Sequence, residues 1–461
     1  MTLRRDRATA KPSKEFFVRM LTRDISLEDC ILDLVDNSID GAWEKSGYEP
    51  TELRSDSALS TYHIKIRFSD DDFSIVDNCG GITLDNAADY AFTFGRRHDQ
   101  TPDDFSVGVY GIGMKRAVFK LGDLIEVRST YVDGRRTESF RVPINVPEWM
   151  ARDAEPLANG ELAAPNWDFD IEESDPLSEP GVAVHVSGLR PETSERLGDP
   201  TFERRLRRIL GRDYMVPLMR GLRISVNGVA VVGYKLELRG SDDFAPMRDR
   251  YTDGSVTVEI LAGMVSVPPD SAEPDENDRR KIDPSGWYIL CNGRVVLAAD
   301  TSNLTGWGEE LPRWHRQYSG FAGIALFSAA RAADLPMTTT KRSVDVSHAV
   351  YRRALARMHE PTRTWISYTN ARKFDLDEAK HRERSAEPKE LVAVEARPTV
   401  RVPTLATPTP TRERIGNINY AMPYKRIKAL AKGLGDSQLS YRDVGIKSFD
   451  YAYETLVGED D

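Results

Sequence analysis

Asp33 and Asn37 stand four residues apart in the run Cys30-Ile31-Leu32-Asp33-Leu34-Val35-Asp36-Asn37-Ser38-Ile39-Asp40-Gly41. On a helix that spacing puts both side chains on one face. Ile31, Leu34, Val35, Ile39 and Ala42 then form a buried stripe. A carboxylate beside a carboxamide suits water-and-cation chemistry. The amide oxygen can ligate a hard cation such as Mg2+, and the carboxylate can take a proton from water. A solvated polar face has the same pattern, and the helix alone does not choose between them.

Three later stretches bear on the choice. Asp77-Asn78-Cys79-Gly80-Gly81-Ile82 puts a carboxylate at a strand end before a flexible turn. A buried Asp there can accept a hydrogen bond from the exocyclic amine of a bound ring, and glycines let the ring approach the backbone; most such turns are simply turns. Gly108-Val109-Tyr110-Gly111-Ile112-Gly113-Met114-Lys115 is a glycine-rich turn opening a helix. Its N–H groups and helix dipole can cradle phosphate, with Lys115 adding charge, or it can be a closely packed helix start. Thr338-Thr339-Thr340-Lys341 follows an apolar strand and suits a reaching contact to phosphate.

The elements that must position these groups are legible in outline. Ser26 and Asp29 resemble a capping box, with Asp in place of Glu, at the start of the first polar helix. A short amphipathic piece, 15–21, precedes it. Alternation predicts strands at 63–68, 73–77, 124–129, 139–142 and 181–187, and further strands at 222–228 and 287–296 with Asn-Gly turns. Phe321–Phe327 reads as a fully apolar strand, and 347–383 as a long helical stretch rich in Arg and Lys. Arg204, Arg205, Arg207 and Arg208 lie on a helix around 202–210; a solvated face is the stronger reading, a phosphate-backbone patch the weaker.

With 461 residues the chain has room for two to four domains and a sizeable core. It is 40% hydrophobic and 30% charged, with a net charge of -10, so any nucleic-acid contact would need a local basic patch. Cys30, Cys79 and Cys291 have no metal-site spacing, which points to a reducing compartment. No signal sequence or membrane span is visible, and a cytoplasmic location without membrane contact is expected.

The order of these boxes resembles the GHKL ATPase superfamily, which includes gyrase, the ninety-kilodalton heat-shock chaperones, MutL, MORC proteins and histidine kinases. The nucleotide-domain match covers roughly residues 15–190, and a weaker match to the transducer domain of the gyrase, MutL and MORC branch covers roughly 213–345. The resemblance implies an α+β chain: a Bergerat α/β sandwich that binds ATP, a ribosomal-protein-like α/β transducer domain and a helical tail. The expected boundaries are 1–200 for the ATP-binding domain with its N-terminal strap and 201–346 for the transducer. A basic helical region at 347–384, a Pro-rich linker at 385–415 and a small helical module at 416–461 follow. It further implies that Asn37 ligates Mg2+, that Asp33 stands where the water-polarising Glu usually stands, and that Lys341 reaches the γ-phosphate. Asp40, Asp77 and Gly81 would line the nucleotide site, with Asp77 reading adenine. Gly108, Tyr110, Gly111, Ile112, Gly113, Met114 and Lys115 would form the phosphate lid and helix start. Three departures stand out: Asp33 is one methylene shorter than Glu, Cys79 replaces the first glycine of the usual box, and Val182 stands where many members have Thr.

The wording of the first helix and of Tyr110-Gly111-Ile112-Gly113-Met114-Lys115 is closest to bacterial MORC-like and MutL-like proteins. This implies a Mg2+-dependent ATPase, slowed by the shorter Asp33, that dimerises on ATP and acts as a clamp or switch on DNA or a co-encoded partner enzyme, with links to anti-phage defence. A protein-remodelling chaperone and a non-hydrolysing nucleotide sensor are the competing expectations. The histidine-kinase branch is disfavoured because no His precedes His63.

Overall fold

The computed structural model describes residues 13–93, 112–152, 167–270, 283–405 and 418–458. The chain forms two compact units, Met1–Thr407 and Pro408–Asp461.

The first unit begins with α1 (Lys14–Arg23) and α2 (Leu27–Ser46). Ser26 caps α2: its hydroxyl accepts from the Asp29 N–H at 3.1 Å and donates to the Asp29 carboxylate at 2.7 Å, so the shorter acid meets the cap through the hydroxyl. Gly47, in the left-handed region at φ 69°, ends the helix. Ile31, Leu34, Val35, Ile39 and Ala42 are buried as their spacing requires. Each large aliphatic side chain among them contributes about 1.5–3 kcal/mol of burial.

That stripe packs on an eight-stranded sheet in the order β5-β4-β3-β6-β2-β1-β7-β8. Its strands are β1 (His63–Phe68), β2 (Asp72–Asp77), β3 (Gly122–Asp133), β4 (Arg136–Asn145), β5 (Glu172–Glu173), β6 (Gly181–Leu189), β7 (Arg223–Val226) and β8 (Val229–Ala230). Between β2 and β3 come α3 (Leu84–Asn86), a π-helical turn (Ala87–Ala91) and α4 (Gly113–Leu121). Then follow α5 (Val146–Ala151), α6 (Pro191–Leu197), α7 (Pro200–Asp213) and α8 (Met215–Met219). Ile64 and Ile66 are buried while Lys65 and Arg67 are exposed, the mark of a sheet covered on one face. Phe73, Ile75 and Asp77 are the inward positions of β2, so strand periodicity alone carries Asp77 into the interior. β7 pairs parallel to β1, so the first sheet takes in chain from beyond residue 200.

A second sheet, in the order β10-β11-β14-β12-β13, holds β10 (Met247–Asp253), β11 (Val256–Met264), β12 (Gly286–Cys291), β13 (Arg294–Asp300) and β14 (Phe321–Ser328). Asn227-Gly228 and Asn292-Gly293 make tight turns with positive φ at both residues, the type I′ geometry that Asn-Gly favours. The helix α9 (Ala349–Arg372) buries Tyr351, Ala354, Met358 and Trp365 against this sheet, and α10 (Leu376–Ser385) follows. The segment expected to be a linker is docked in its first part. β15 (Glu387–Glu390) pairs antiparallel with β9 (Glu237–Gly240), and Arg397 and Arg401 bridge to Arg248 and Ala245. Proline excludes helix there but not an edge strand, which is where Pro388 sits.

The loop after α2 stitches the two sheets together. Arg220 grips Asp56 with two 3.0 Å bonds and lies over Trp43 and Tyr48. On the other side the Leu53 N–H donates to Glu259, and Ser328 donates to the Pro50 carbonyl.

The second unit is a pair of helices, α11 (Tyr424–Gly433) and α12 (Tyr441–Leu456), the latter capped by Ser440. In the two helices only Ala431 and Val444 are buried. Among the described residues no helix is long and apolar enough to cross a membrane.

Candidate nucleotide site

Asp29, Asp33, Asp36 and Asp40 recur along α2 at close to helical period. The first three meet cations from distant parts of the chain. Arg342 binds Asp29 and reaches Asp213 at 2.7 Å. Lys341 Nζ lies 3.3 Å from Asp33 Oδ1 and donates to Asp36 Oδ2 at 2.7 Å. Arg116 of α4 donates to Asp33 Oδ2 at 2.5 Å. Arg294 of β13 donates to Asp36 Oδ2, and the Tyr214 hydroxyl donates to Asp36 Oδ1 at 2.7 Å. Burial by itself would raise the Asp33 carboxyl, but Lys341 and Arg116 hold it below the usual carboxylate range. Lys341 and Arg294 are both pushed down by burial, the latter to about 10. Asn37 is exposed on the same helix, and Asp40, half-buried, adds its charge to the field on Lys341.

The floor of the site is the turn after β2. Asp77 Oδ1 accepts the N–H of Cys79 at 2.9 Å and of Val182 at 3.2 Å, and Oδ2 accepts the Ser38 hydroxyl at 2.6 Å. Burial raises the Asp77 carboxyl, against the pull of these bonds. Gly80 and Gly81 carry the positive φ values, 107° and 76°, while Cys79 does not. The turn therefore accommodates Cys79. Gly81 is doubly required: a Cβ there would lie 2.1 Å from the Thr130 carbonyl. Val182, in place of the usual Thr, still serves Asp77 through its backbone.

The start of α4 abuts Asp33, since a Cβ on Gly113 would sit 3.4 Å from the Asp33 carboxyl carbon. Ile112 occupies the N-cap position without a side-chain cap. Met114 packs on the core. Lys115 is buried and donates to the carbonyls of Ala91 and Thr93 at 2.8 and 2.7 Å, and burial pushes its pKa down to about 8. Its ammonium thus ties α4 to the end of the π-helical turn. Gly108, Tyr110 and Gly111, and most of the expected lid, lie outside the described residues.

Asp33, Asn37, Asp40, Gly113 and Lys341 are thus drawn around one helix face, with Asp77 joined to that helix through Ser38 and Gly81 set against the Thr130 carbonyl. Sequence reasoning passes over Asp36, Ser38, Arg116, Tyr214, Arg294 and Arg342. The four-aspartate ladder on α2 is a signal that could have flagged Asp36. Nothing local marks Arg294 or Tyr214.

For a metal, the donor set is sparse. Among the described residues no group of three His, Cys, Asp or Glu side chains could hold an ion. Asn37 offers one neutral oxygen, which fits Mg2+ as the protein's share of a nucleotide complex whose phosphates and waters supply the remaining ligands. In the expected basic stretches Arg205 pairs with Glu28, Arg207 with Glu203, Arg353 with Asp253 and Arg357 with Asp249.

Residues 25–155 match the family model described as Histidine kinase-, DNA gyrase B-, and HSP90-like ATPase. No curated protein matches the chain. The matched span contains α2, the Asp77 turn and the start of α4.

Proposed function

We propose that the chain is a Mg2+-dependent ATPase; residues 25–155 match the Histidine kinase-, DNA gyrase B-, and HSP90-like ATPase model, which supports ATP binding. In this reading, ATP-driven domain closure and dimerisation make it a clamp or switch on DNA or a partner enzyme, within the MORC-like and MutL-like branch and in anti-phage defence. The observation that carries the hydrolytic part is the meeting of Asp33 and Lys341 at 3.3 Å beside the start of α4.

Adenine binds against Asp77. A carboxylate has about four acceptor positions; three are taken by Cys79, Val182 and Ser38, leaving one on Oδ2 for the exocyclic amine. Asn37 would hold Mg2+ together with the phosphates, where the ion would supply positive charge against that of the phosphates. The uncapped N–H groups of α4 face the phosphates. The γ-phosphate draws Lys341 off Asp33. With that cation gone and phosphate charge nearby, the proton affinity of Asp33 rises, and it accepts a proton from the attacking water. Lys341, now on the γ-phosphate, stabilises the charge of transfer and reports it to the second sheet.

A second reading, a nucleotide sensor without turnover, is favoured by the double ion pairing of Asp33. Phosphate release and light scattering, each with and without Mg2+·ATP, separate the two. Mg2+-dependent release with a doubling of mass supports the clamp ATPase, and binding without either supports the sensor. ATP-dependent, salt-sensitive retention on DNA distinguishes a nucleic-acid client from a protein client.

A further inference from the structure

Each carboxylate that Lys341 touches has a standing cation of its own. Asp33 keeps Arg116, and Asp36 keeps Arg294. Arg294 is buried, its guanidinium lies over the Tyr214 ring at 5.7 Å, and among the described residues its Nε has no partner, so Asp36 is its anchor. Asp36 is likewise buried, with Tyr214 on its other oxygen. Were Lys341 the only cation on Asp36, its departure would strand an ionised carboxylate in the interior, which is strongly unfavourable. With Arg294 in place the carboxylate stays paired and hydrogen-bonded after Lys341 leaves.

We propose that Arg294 is a positioning residue for Lys341: by neutralising Asp36 it makes Lys341 the removable member of the cluster and so sets how readily the γ-phosphate captures it. This rests on the reading in which Lys341 binds the γ-phosphate. Without Arg294, Lys341 is held on Asp36, and the fraction of protein ready to bind a triphosphate falls. Apparent affinity falls by that same fraction. ADP, which lacks the γ-phosphate, does not call on Lys341.

The test is calorimetric binding of ADP and of the β,γ-imido analogue of ATP, in Mg2+ buffer, to the parent chain, Arg294→Gln, Arg294→Lys, Asp36→Asn/Arg294→Gln and Lys341→Ala. Arg294→Gln is expected to weaken the triphosphate analogue about tenfold or more while ADP affinity stays at the parental value. Arg294→Lys keeps much of the parental preference. Adding Asp36→Asn to Arg294→Gln restores triphosphate binding, because Lys341 is no longer held. Equal weakening of both nucleotides by Arg294→Gln, or a double variant no better than the single one, overturns the proposal. If Lys341→Ala leaves the triphosphate preference intact, the γ-phosphate role of Lys341 fails, and this proposal with it.

Discussion

Asp77→Asn separates nucleotide recognition from folding. In the parent, Asp77 Oδ1 receives two backbone N–H donors, from Cys79 and Val182, and Oδ2 receives the Ser38 hydroxyl. An asparagine must keep its oxygen at the Oδ1 position, because the reverse orientation points an NH2 at two N–H groups. Its NH2 then occupies the Oδ2 position, where Ser38 can rotate its hydroxyl and accept instead of donate. The internal bonds survive and a buried charge is removed, so stability changes by less than about 1 kcal/mol. The adenine amine, by contrast, meets a donor where it had a carboxylate acceptor. Loss of a hydrogen bond to a charged group is worth about 1.5–3 kcal/mol, or roughly 10- to 150-fold in affinity. Calorimetric ADP binding and a urea unfolding curve read the two quantities. Parental ADP affinity, or a large loss of stability, would refute the assignment of Asp77 as the base-reading group.

Other perturbations have equally definite outcomes. Gly81→Ala forces a Cβ against the Thr130 carbonyl at a φ of 76°; destabilisation of about 1–3 kcal/mol and lost nucleotide binding are expected, and an unaltered unfolding curve contradicts the close approach. Arg220→Ala removes the two-point grip on Asp56 and the bond to the Glu49 carbonyl; a loss of about 2–3 kcal/mol is expected in urea unfolding, and less than about 0.5 kcal/mol, the usual range for surface changes, contradicts a role in joining the sheets. Burial lowers Lys115 from 10.5 to about 8 in the folded chain. Between those values the unfolded chain binds more protons, so the contribution of Lys115 to stability rises with pH across that window. The stability of the parent relative to Lys115→Met should therefore shift toward the parent between pH 7.5 and 9.5; a constant or falling difference refutes the buried placement.

Local pattern made much of the site readable. The spacing of Asp33 and Asn37, the Ser26–Asp29 cap and the inward periodicity of β2 place three candidate side chains on their elements from sequence alone, because each depends on residues a few positions away. Asn-Gly at 227–228 and 292–293 fixes two hairpins for the same reason. What escaped depends on tertiary pairing. Arg294 is one arginine among many until β13 brings it under α2, and Tyr214 is an ordinary core residue until its hydroxyl meets Asp36. The bonds of Lys115 to the Ala91 and Thr93 carbonyls likewise join segments more than twenty residues apart. Residues 385–415 read as linker because prolines erase periodicity, whereas the edge pairing of Glu387–Glu390 with β9 needs none.

The most direct test of Asp33 as the proton acceptor is single-turnover ATP hydrolysis by the parent and by Asp33→Asn, with nucleotide affinity measured on both. The substitution keeps the size and one acceptor oxygen, so ATP should bind within about threefold of the parent, a difference well under 1 kcal/mol. Hydrolysis should fall about 100-fold or more, the usual contribution of a positioned base. Undiminished hydrolysis by a variant that binds ATP normally would contradict the role given to Asp33 and move the chemistry to another residue.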